Sequence, residues 1–184
     1  MRIGHGYDLH RLEARPPNGN GRPFVLGGIQ VEHSTGPIGH SDGDALLHAV
    51  TDALLGALGE PDIGRLFPDT DAVNESADSS VFLEEAVRRM QARDLMIGNL
   101  DATVICESPK IAPISDAMRT RIAELLLCSE DRVNIKGKTH EKVDAVGEGR
   151  AIEVHVVALL VSSGARFFSG HKPSSHNYGF AAKR

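Results

Sequence analysis

The chain has no tryptophan and only two tyrosines, and aromatic residues make up 4% of it, so attention falls on its nine histidines, three of which sit beside acids. Cysteine is almost as scarce. Cys106 and Cys128 each lie in an apolar segment, which argues against a disulfide framework and fits reduced packing thiols in a cytoplasmic-type compartment. There is no lysine- or arginine-rich run. With 20 basic against 25 acidic residues and a net charge of −5, nucleic acid is a poor candidate partner. No stretch approaches the roughly 18 consecutive apolar residues of a membrane span, and the opening MRIGHGYDLH lacks the apolar core of a signal peptide. A soluble, unexported protein with no membrane partner is expected. There is no internal repeat, and 184 residues at 41% hydrophobic suit one compact domain.

What is present reads as alternating strands and helices. Residues 1–10 alternate, placing Ile3, His5, Tyr7 and Leu9 on one side and Gly4, Gly6, Asp8 and His10 on the other, as the two-residue period of a strand requires. After a Pro- and Gly-rich loop, FVLGGIQV predicts a hairpin turning at Gly27 and Gly28. Ser41 or Asp42 is expected to cap a helix carrying Leu46, Leu47, Val50, Ala53, Leu54 and Ala57 at helical spacing, ending at Gly59. Asp44, His48 and Asp52 share one stripe of it. The acidic segment EPDIGRLFPDTDAVNES predicts a long functional loop, after which Asp78 or Ser79 caps a second helix through Met90.

A strand around Leu100–Cys106, a helix carrying Met118, Ile122, Leu125 and Leu126, and two strands around RVNIKGK and AIEVHVVALLV complete the order ββααβαββ. That order suggests an α+β domain whose mainly antiparallel sheet has helices on one face, leaving the other for another subunit. Residues 163–184 mix Gly, Ser, Pro and aromatics without period, and are expected to form a tail appended to a domain of residues 1–162.

Five constellations carry possible chemistry. Asp8 and His10 point the same way, and His48 on the first helix can join them; two histidines and a carboxylate suit zinc with an open position, or non-haem iron. His40-Ser41-Asp42-Gly43-Asp44 leads into a helix N-terminus whose free N–H groups could hold an anion. Asp62-Ile63-Gly64 with Phe67-Pro68-Asp69-Thr70-Asp71 could bind hydroxyls or cations. Cys106-Glu107-Ser108-Pro109-Lys110 ends a strand in a loop able to read a base and meet a phosphate, and Lys136–Lys142 gathers phosphate-binding types around one carboxylate, Glu141. Taken singly, solvated strand ends, helix caps, an acidic turn and a charged strand exit explain these as well.

Taken together, GHGYDLH, GHSDGDALLHAVTDALLGALGEPDIGRLFPDTD, the Ser-Pro-Lys loop and KTHEKVD resemble the 2-C-methyl-D-erythritol 2,4-cyclodiphosphate synthases over residues 1–162. The resemblance implies a ferredoxin-like fold packed as a homotrimer, with active sites between neighbouring subunits. It implies a lyase that cyclises 4-diphosphocytidyl-2-C-methyl-D-erythritol 2-phosphate, releasing CMP. Asp8, His10 and His48 would hold one Zn2+ per subunit and Glu141 would hold Mg2+ or Mn2+ against the diphosphate. His40 and Thr139 would stabilise the transition state. Substrate would be met by Asp8, Leu9, His10, His40, Ser41, Asp62, Ile63 and Gly64, and by Phe67, Pro68, Asp69, Thr70 and Asp71. Its cytidine end would be met by Cys106, Pro109, Lys110, Ile111, Ala112, Lys138 and Thr139 of the adjacent subunit, and His140 and Glu141 would also meet the substrate.

Lys138-Thr139-His140-Glu141 replaces the commoner Thr-Thr-Thr-Glu and resembles the plant-type branch, while Gly147-Glu148-Gly149-Arg150-Ala151 displaces a frequent arginine. The expected compartment is the bacterial cytoplasm, or the plastid stroma for a processed plant-type form. Two other readings stand beside this one: a zinc phosphodiesterase or phosphatase, and a catalytically idle nucleotide-binding or structural protein whose histidines and acids serve folding alone.

Overall fold

A computed structural model of the chain describes residues 1–39, 41–68, 70–71 and 77–164. The elements run β1 (Arg2–Ala14), β2 (Phe24–Leu26), β3 (Ile29–Val31), β4 (Thr35–Pro37), α1 (Ala45–Leu58), α2 (Ile63–Leu66) and α3 (Ser80–Gln91). They continue with β5 (Leu95–Ile105), α4 (Ser115–Leu125), β6 (Val133–Lys138), α5 (Asp144–Gly147) and β7 (Ala151–Ser162). Strands β4-β1-β7-β5-β6 form one sheet, and β2 and β3 form the hairpin expected at Gly27 and Gly28, both of which have positive φ.

Every pair in the large sheet is antiparallel except β5 with β6. The mixed α+β class with a mostly antiparallel sheet is therefore as expected, but the ferredoxin-like topology is not. A parallel pair cannot be joined by a hairpin, and α4 supplies the crossover between β5 and β6. The long strands thus follow β-α-β-α-β-β, where a ferredoxin-like chain follows β-α-β-β-α-β.

The core lies between the sheet and α1, α3 and α4. In β1, Gly4, Gly6 and Leu12 are buried while Ile3, Tyr7 and Leu9 are exposed, the alternation read from the sequence. Their partners in β7 behave alike: Val154, Val156, Ala158 and Leu160 are buried, and Val157 is exposed. The open face also carries His5 and Tyr7 packed on His155.

Helix α1 is almost wholly buried, which explains why Leu, Ala and Val occupy both its sides. Its one buried hydroxyl, Thr51, donates back to the Leu47 carbonyl at 2.8 Å and so needs no outside partner. Helix α1 rests on β1 at backbone distance. A Cβ on Gly4 would sit 1.9 Å from the Ala53 carbonyl oxygen, and one on Gly6 would sit 1.8 Å from that of Ala49. Glycine is required at both places for want of space.

The sequence's helix caps need correction. Asp44, neither Ser41 nor Asp42, caps α1, accepting from Leu46 N and Leu47 N. It prevails because its carboxylate also accepts from Gly27 N at 2.9 Å and Gly28 N at 2.6 Å, tying the hairpin to the helix. The Gly59 stop is as expected, in the left-handed region. The acidic segment holds the short helix α2, capped by Asp62, where only a loop was expected. Asp69 and residues 72–76 of that segment, and residues 165–184 of the expected tail, lie outside the described residues.

No helix among the described residues is long and apolar enough to cross a membrane. Cys106 is buried and Cys128 half-buried, and both are free thiols. Burial pushes the Cys106 thiol up to about 11.

Two outcomes follow from this packing. Gly6→Ala must drive α1 off β1, and urea unfolding should show a loss of about 3 kcal/mol or more, at the upper end of overpacking. Because burial keeps the Cys106 thiol protonated and out of reach at pH 8, iodoacetamide should leave it untouched in the native chain and alkylate it on unfolding, as mass spectrometry would record.

Candidate functional site

The close approach of α1 to β1 sets His48 beside the end of the first strand's helix-facing row. The Asp8 Oδ2 atom lies 2.8 Å from His10 Nε2 and 3.1 Å from His48 Nδ1, and the two nitrogens are 3.3 Å apart. Among the described residues this is the one group of three or more His, Cys, Asp or Glu ligand atoms close enough to hold a metal ion. Burial disfavours the Asp8 charge, but hydrogen bonds and charges from His10 and His48 outweigh it and hold the carboxyl well below the usual range. His10 moves oppositely: burial lowers its affinity for a proton, and Asp8, with the Ile38 backbone, raises it further than burial lowers it.

Three lone-pair donors within 3.3 Å of one another, a carboxylate and two imidazoles, fit a divalent cation of zinc's preferences. Each histidine also has an outer partner, as metal-ligating histidines usually do. His10 is held by the Ile38 backbone, and His48 Nε2 lies 3.2 Å from Ser41 Oγ and 2.8 Å from Ser79 Oγ. Leu9 turns its side chain to the open face, while its N–H donates to Asp8 Oδ1 at 2.9 Å.

Around this cluster, Asp52 accepts from Ile63 N at 2.8 Å, so α1 fixes the Asp62-Ile63-Gly64 turn. Burial raises the Asp52 carboxyl above its ordinary value, only partly offset by that bond. Phe67 packs on Phe82, with ring centroids 4.7 Å apart, and Phe82 in turn lies against His48. Asp71 N donates to the Pro68 carbonyl, and Thr70 is exposed. His40 and Asp69 lie outside the described residues.

The other expected group gathers where β5 and β6 end. A cavity of about 290 Å³ is lined by Cys106, Pro109, Lys110, Ile111, Ala112, Lys138 and Thr139, by Gly137 of the Lys136–Lys142 run, and by Ser115 and Ile135, which the sequence did not single out. A Cβ on Gly137 would come within 2.7 Å of Ile111 Cβ, so glycine keeps this floor open. The following turn is strained: Glu141, Lys142 and Asp144 have φ of 50°, 62° and 60°. The Thr139 hydroxyl donates to Glu141 Oε1 at 3.0 Å, and His140 pairs with Asp144 at 3.0 Å. Among the described residues, Glu141 has no lysine or arginine in ion-pair reach.

The two groups are in one row of the sheet but apart. Asp8 pairs with Val154, Val154 with Val104, and Val104 with Gly137. Three strand spacings are about 14 Å, and the fully buried Val154 and Val104 fill the interval.

The YgbB family matches residues 1–161 of the chain. A chloroplastic 2-C-methyl-D-erythritol 2,4-cyclodiphosphate synthase from Oryza sativa subsp. japonica is 52% identical over 161 residues, which are 88% of this chain and 70% of that protein. The synthase of Mannheimia succiniciproducens is 50% identical over 163 residues, covering 89% of this chain and 99% of its own length. Among solved structures, IspF of Plasmodium falciparum in a CDP complex is 36% identical, with a TM-score of 0.77 over 89% of this chain and 97% of that one. A 2C-methyl-D-erythritol-2,4-cyclodiphosphate synthase structure is 39% identical, with a TM-score of 0.78 over 87% of this chain and all of that one. With the match running from the first strand to the end of the last, and relatives at about half identity sharing one name, the chain belongs to the YgbB family of 2-C-methyl-D-erythritol 2,4-cyclodiphosphate synthases.

Proposed function

We propose that the chain works as a homotrimer with zinc at Asp8, His10 and His48, Mg2+ or Mn2+ held by Glu141, and each active site shared between neighbouring copies. The chain is a phosphorus–oxygen lyase of isoprenoid-precursor synthesis, closing 4-diphosphocytidyl-2-C-methyl-D-erythritol 2-phosphate into the 2,4-cyclodiphosphate with release of CMP. The observation that carries the fuller reading is the convergence of three ligand atoms on one side of a row whose other end is a cavity of about 290 Å³.

In the reaction a 2-phosphate oxygen forms a bond to the β-phosphorus, and the bond from that phosphorus to the bridging oxygen breaks, so the oxygen leaves on CMP. The nucleophile is already anionic and already tethered to its target. No serine or cysteine need attack, consistent with a Cys106 thiol that stays protonated. What the chain supplies is position and charge. When bound, the two cations would orient the phosphates and offset their negative charge.

Ser41 with Asp62, Ile63 and Gly64 would hold the methylerythritol end, joined by His40 and by Phe67, Pro68, Asp69, Thr70 and Asp71. The cytidine end would enter the cavity beneath Cys106 and Pro109–Ala112, with Lys138 near its phosphates. Thr139 and His40 would stabilise the transition state, and the strained turn would present Glu141 outward. Among the described residues no lysine or arginine lies within ion-pair reach of Glu141, which favours a cation-holding role over a surface ion pair.

The trimer rests on two physical points. The sheet face bearing Ile3, at 69% exposed, with Tyr7, Leu9 and Val157 is uncovered in a single copy. The Asp8–His10–His48 cluster and the cavity of one copy lie three strand spacings apart across packed core, which favours an adjacent copy that brings one of each together. Residues 1–162 would form the synthase domain and 163–184 a tail, in the bacterial cytoplasm or the plastid stroma.

Phosphorus NMR of the full chain with substrate, zinc and magnesium should show CMP and the cyclodiphosphate; open-chain hydrolysis products would overturn the reading. In the same assay Glu141→Gln should slow cyclisation by orders of magnitude and raise the magnesium requirement with fold and zinc content unchanged, whereas a wild-type magnesium curve would make Glu141 a mere surface charge. Light scattering should return the mass of three chains, and a stable, active monomer would rule the shared site out.

A further inference from the structure

Ser79 stands where a helix cap should be and does not act as one. It occupies the N-cap position of α3, yet its side chain makes no capping bond, and its backbone is helical at φ −62°, ψ −15°. The neighbouring Asp78 takes over, accepting from Ser80 N at 2.9 Å. The Ser79 hydroxyl is turned inward instead, with the residue 0% exposed, 2.5 Å from Asp42 Oδ1 and 2.8 Å from His48 Nε2. Asp42 is itself fixed: it accepts from Ser79 N at 3.1 Å and from Asp44 N at 3.1 Å, and its own N–H donates to the Ala77 carbonyl.

A proton inventory gives the arrangement a direction. A hydroxyl has one proton, and an ionised carboxylate only accepts, so Ser79 donates to Asp42 and must accept from His48. Ser79 thus favours the imidazole proton on Nε2 against Asp8, whose Oδ2 draws it to Nδ1 across 3.1 Å, and with the proton on Nε2 the Nδ1 lone pair is free to face a metal. Ser41 Oγ, 3.2 Å from the same Nε2 and already accepting from Gly43 N, is placed as a second, weaker acceptor.

We propose that Ser79, oriented by Asp42, is a positioning residue that fixes the tautomer and ring angle of His48 so that Nδ1 is presented as a metal ligand. The inference rests on the metal reading above and adds to it a residue that touches neither metal nor substrate. An outer partner of this kind typically accounts for a 10- to 100-fold change in metal affinity.

The test uses the full chain in two arms. Zinc dissociation constants from chelator competition should rise about 10- to 100-fold in Ser79→Ala. Asp42→Asn, which keeps the volume but removes the charge that orients the hydroxyl, should weaken zinc as well, and the double variant should be no weaker than the worse single one, since both break one relay. In the second arm, ring nitrogen shifts of His48 should report the Nε2-protonated form in wild type and a tautomer mixture in Ser79→Ala.

A folded Ser79→Ala with wild-type zinc affinity and a wild-type tautomer overturns the proposal, as do strictly additive effects of the two substitutions. Should Ser79→Ala not fold, Asp42→Asn with wild-type zinc affinity does the same. A wild-type chain that binds no zinc sinks the metal reading instead, and the nitrogen shifts still decide the role of Ser79.

Discussion

Everything at the Asp8–His10–His48 cluster depends on how closely α1 lies on β1. Gly4 and Gly6 leave no side chain between the strand and the Ala49 and Ala53 carbonyls, so the helix sits at backbone distance from the sheet. Only at that distance can a histidine projecting from the helix reach the carboxylate of a strand residue, as His48 reaches Asp8 at 3.1 Å. The register is then held at the helix's first turn by Asp44, whose two oxygens gather N–H groups from α1 and from the β2–β3 turn. Burial raises the Asp44 carboxyl above its ordinary value despite those bonds, which shows how much backbone donation is needed to keep a carboxylate in so dry a place.

The parts of the fold legible in the sequence are those fixed by local periodicity or by a special backbone conformation. The period-2 row through Asp8 and His10, the Gly27-Gly28 hairpin and the helix running to Gly59 belong to that set. The corrected parts are set by partners distant in sequence. Ser41, Asp42 and Asp44 are all good capping types within four residues, and only the hairpin's two N–H groups, remote in the chain, decide among them. Strand β4 contains Gly36 and Pro37, poor strand formers tolerated because β4 is an edge. The parallel pair was missed for a similar reason, since nothing in a strand's own residues states which neighbour it will meet.

The site divides the same way. Of the residues proposed to carry the chemistry, Asp8, His10, His48 and Glu141 stand out by type and spacing, and Thr139 by the resemblance alone. Residues that hold them do not. Asp52 reads as one more polar helix residue, Gly137 as a gap in a charged run, and Ser79 as a routine cap. Each gains its meaning from one contact made across the fold: Ile63 N, Ile111 and His48 respectively. Serine before a helix is so common that a sequence alone cannot distinguish one bonded to its own helix from one bonded to a distant histidine.

The row Asp8–Val154–Val104–Gly137 places the Asp8–His10–His48 cluster at one end and the cavity beside Gly137 at the other, with buried valine between. In a closed ring of the proposed kind every contact is head-to-tail, each copy lending one half-site forward and receiving the other from behind. Damage is then partitioned by half-site and not by chain. A copy broken only at its metal end and a copy broken only at its cavity can still build one sound centre where their intact ends meet, so two inactive alleles of such a gene would complement each other inside a single mixed ring.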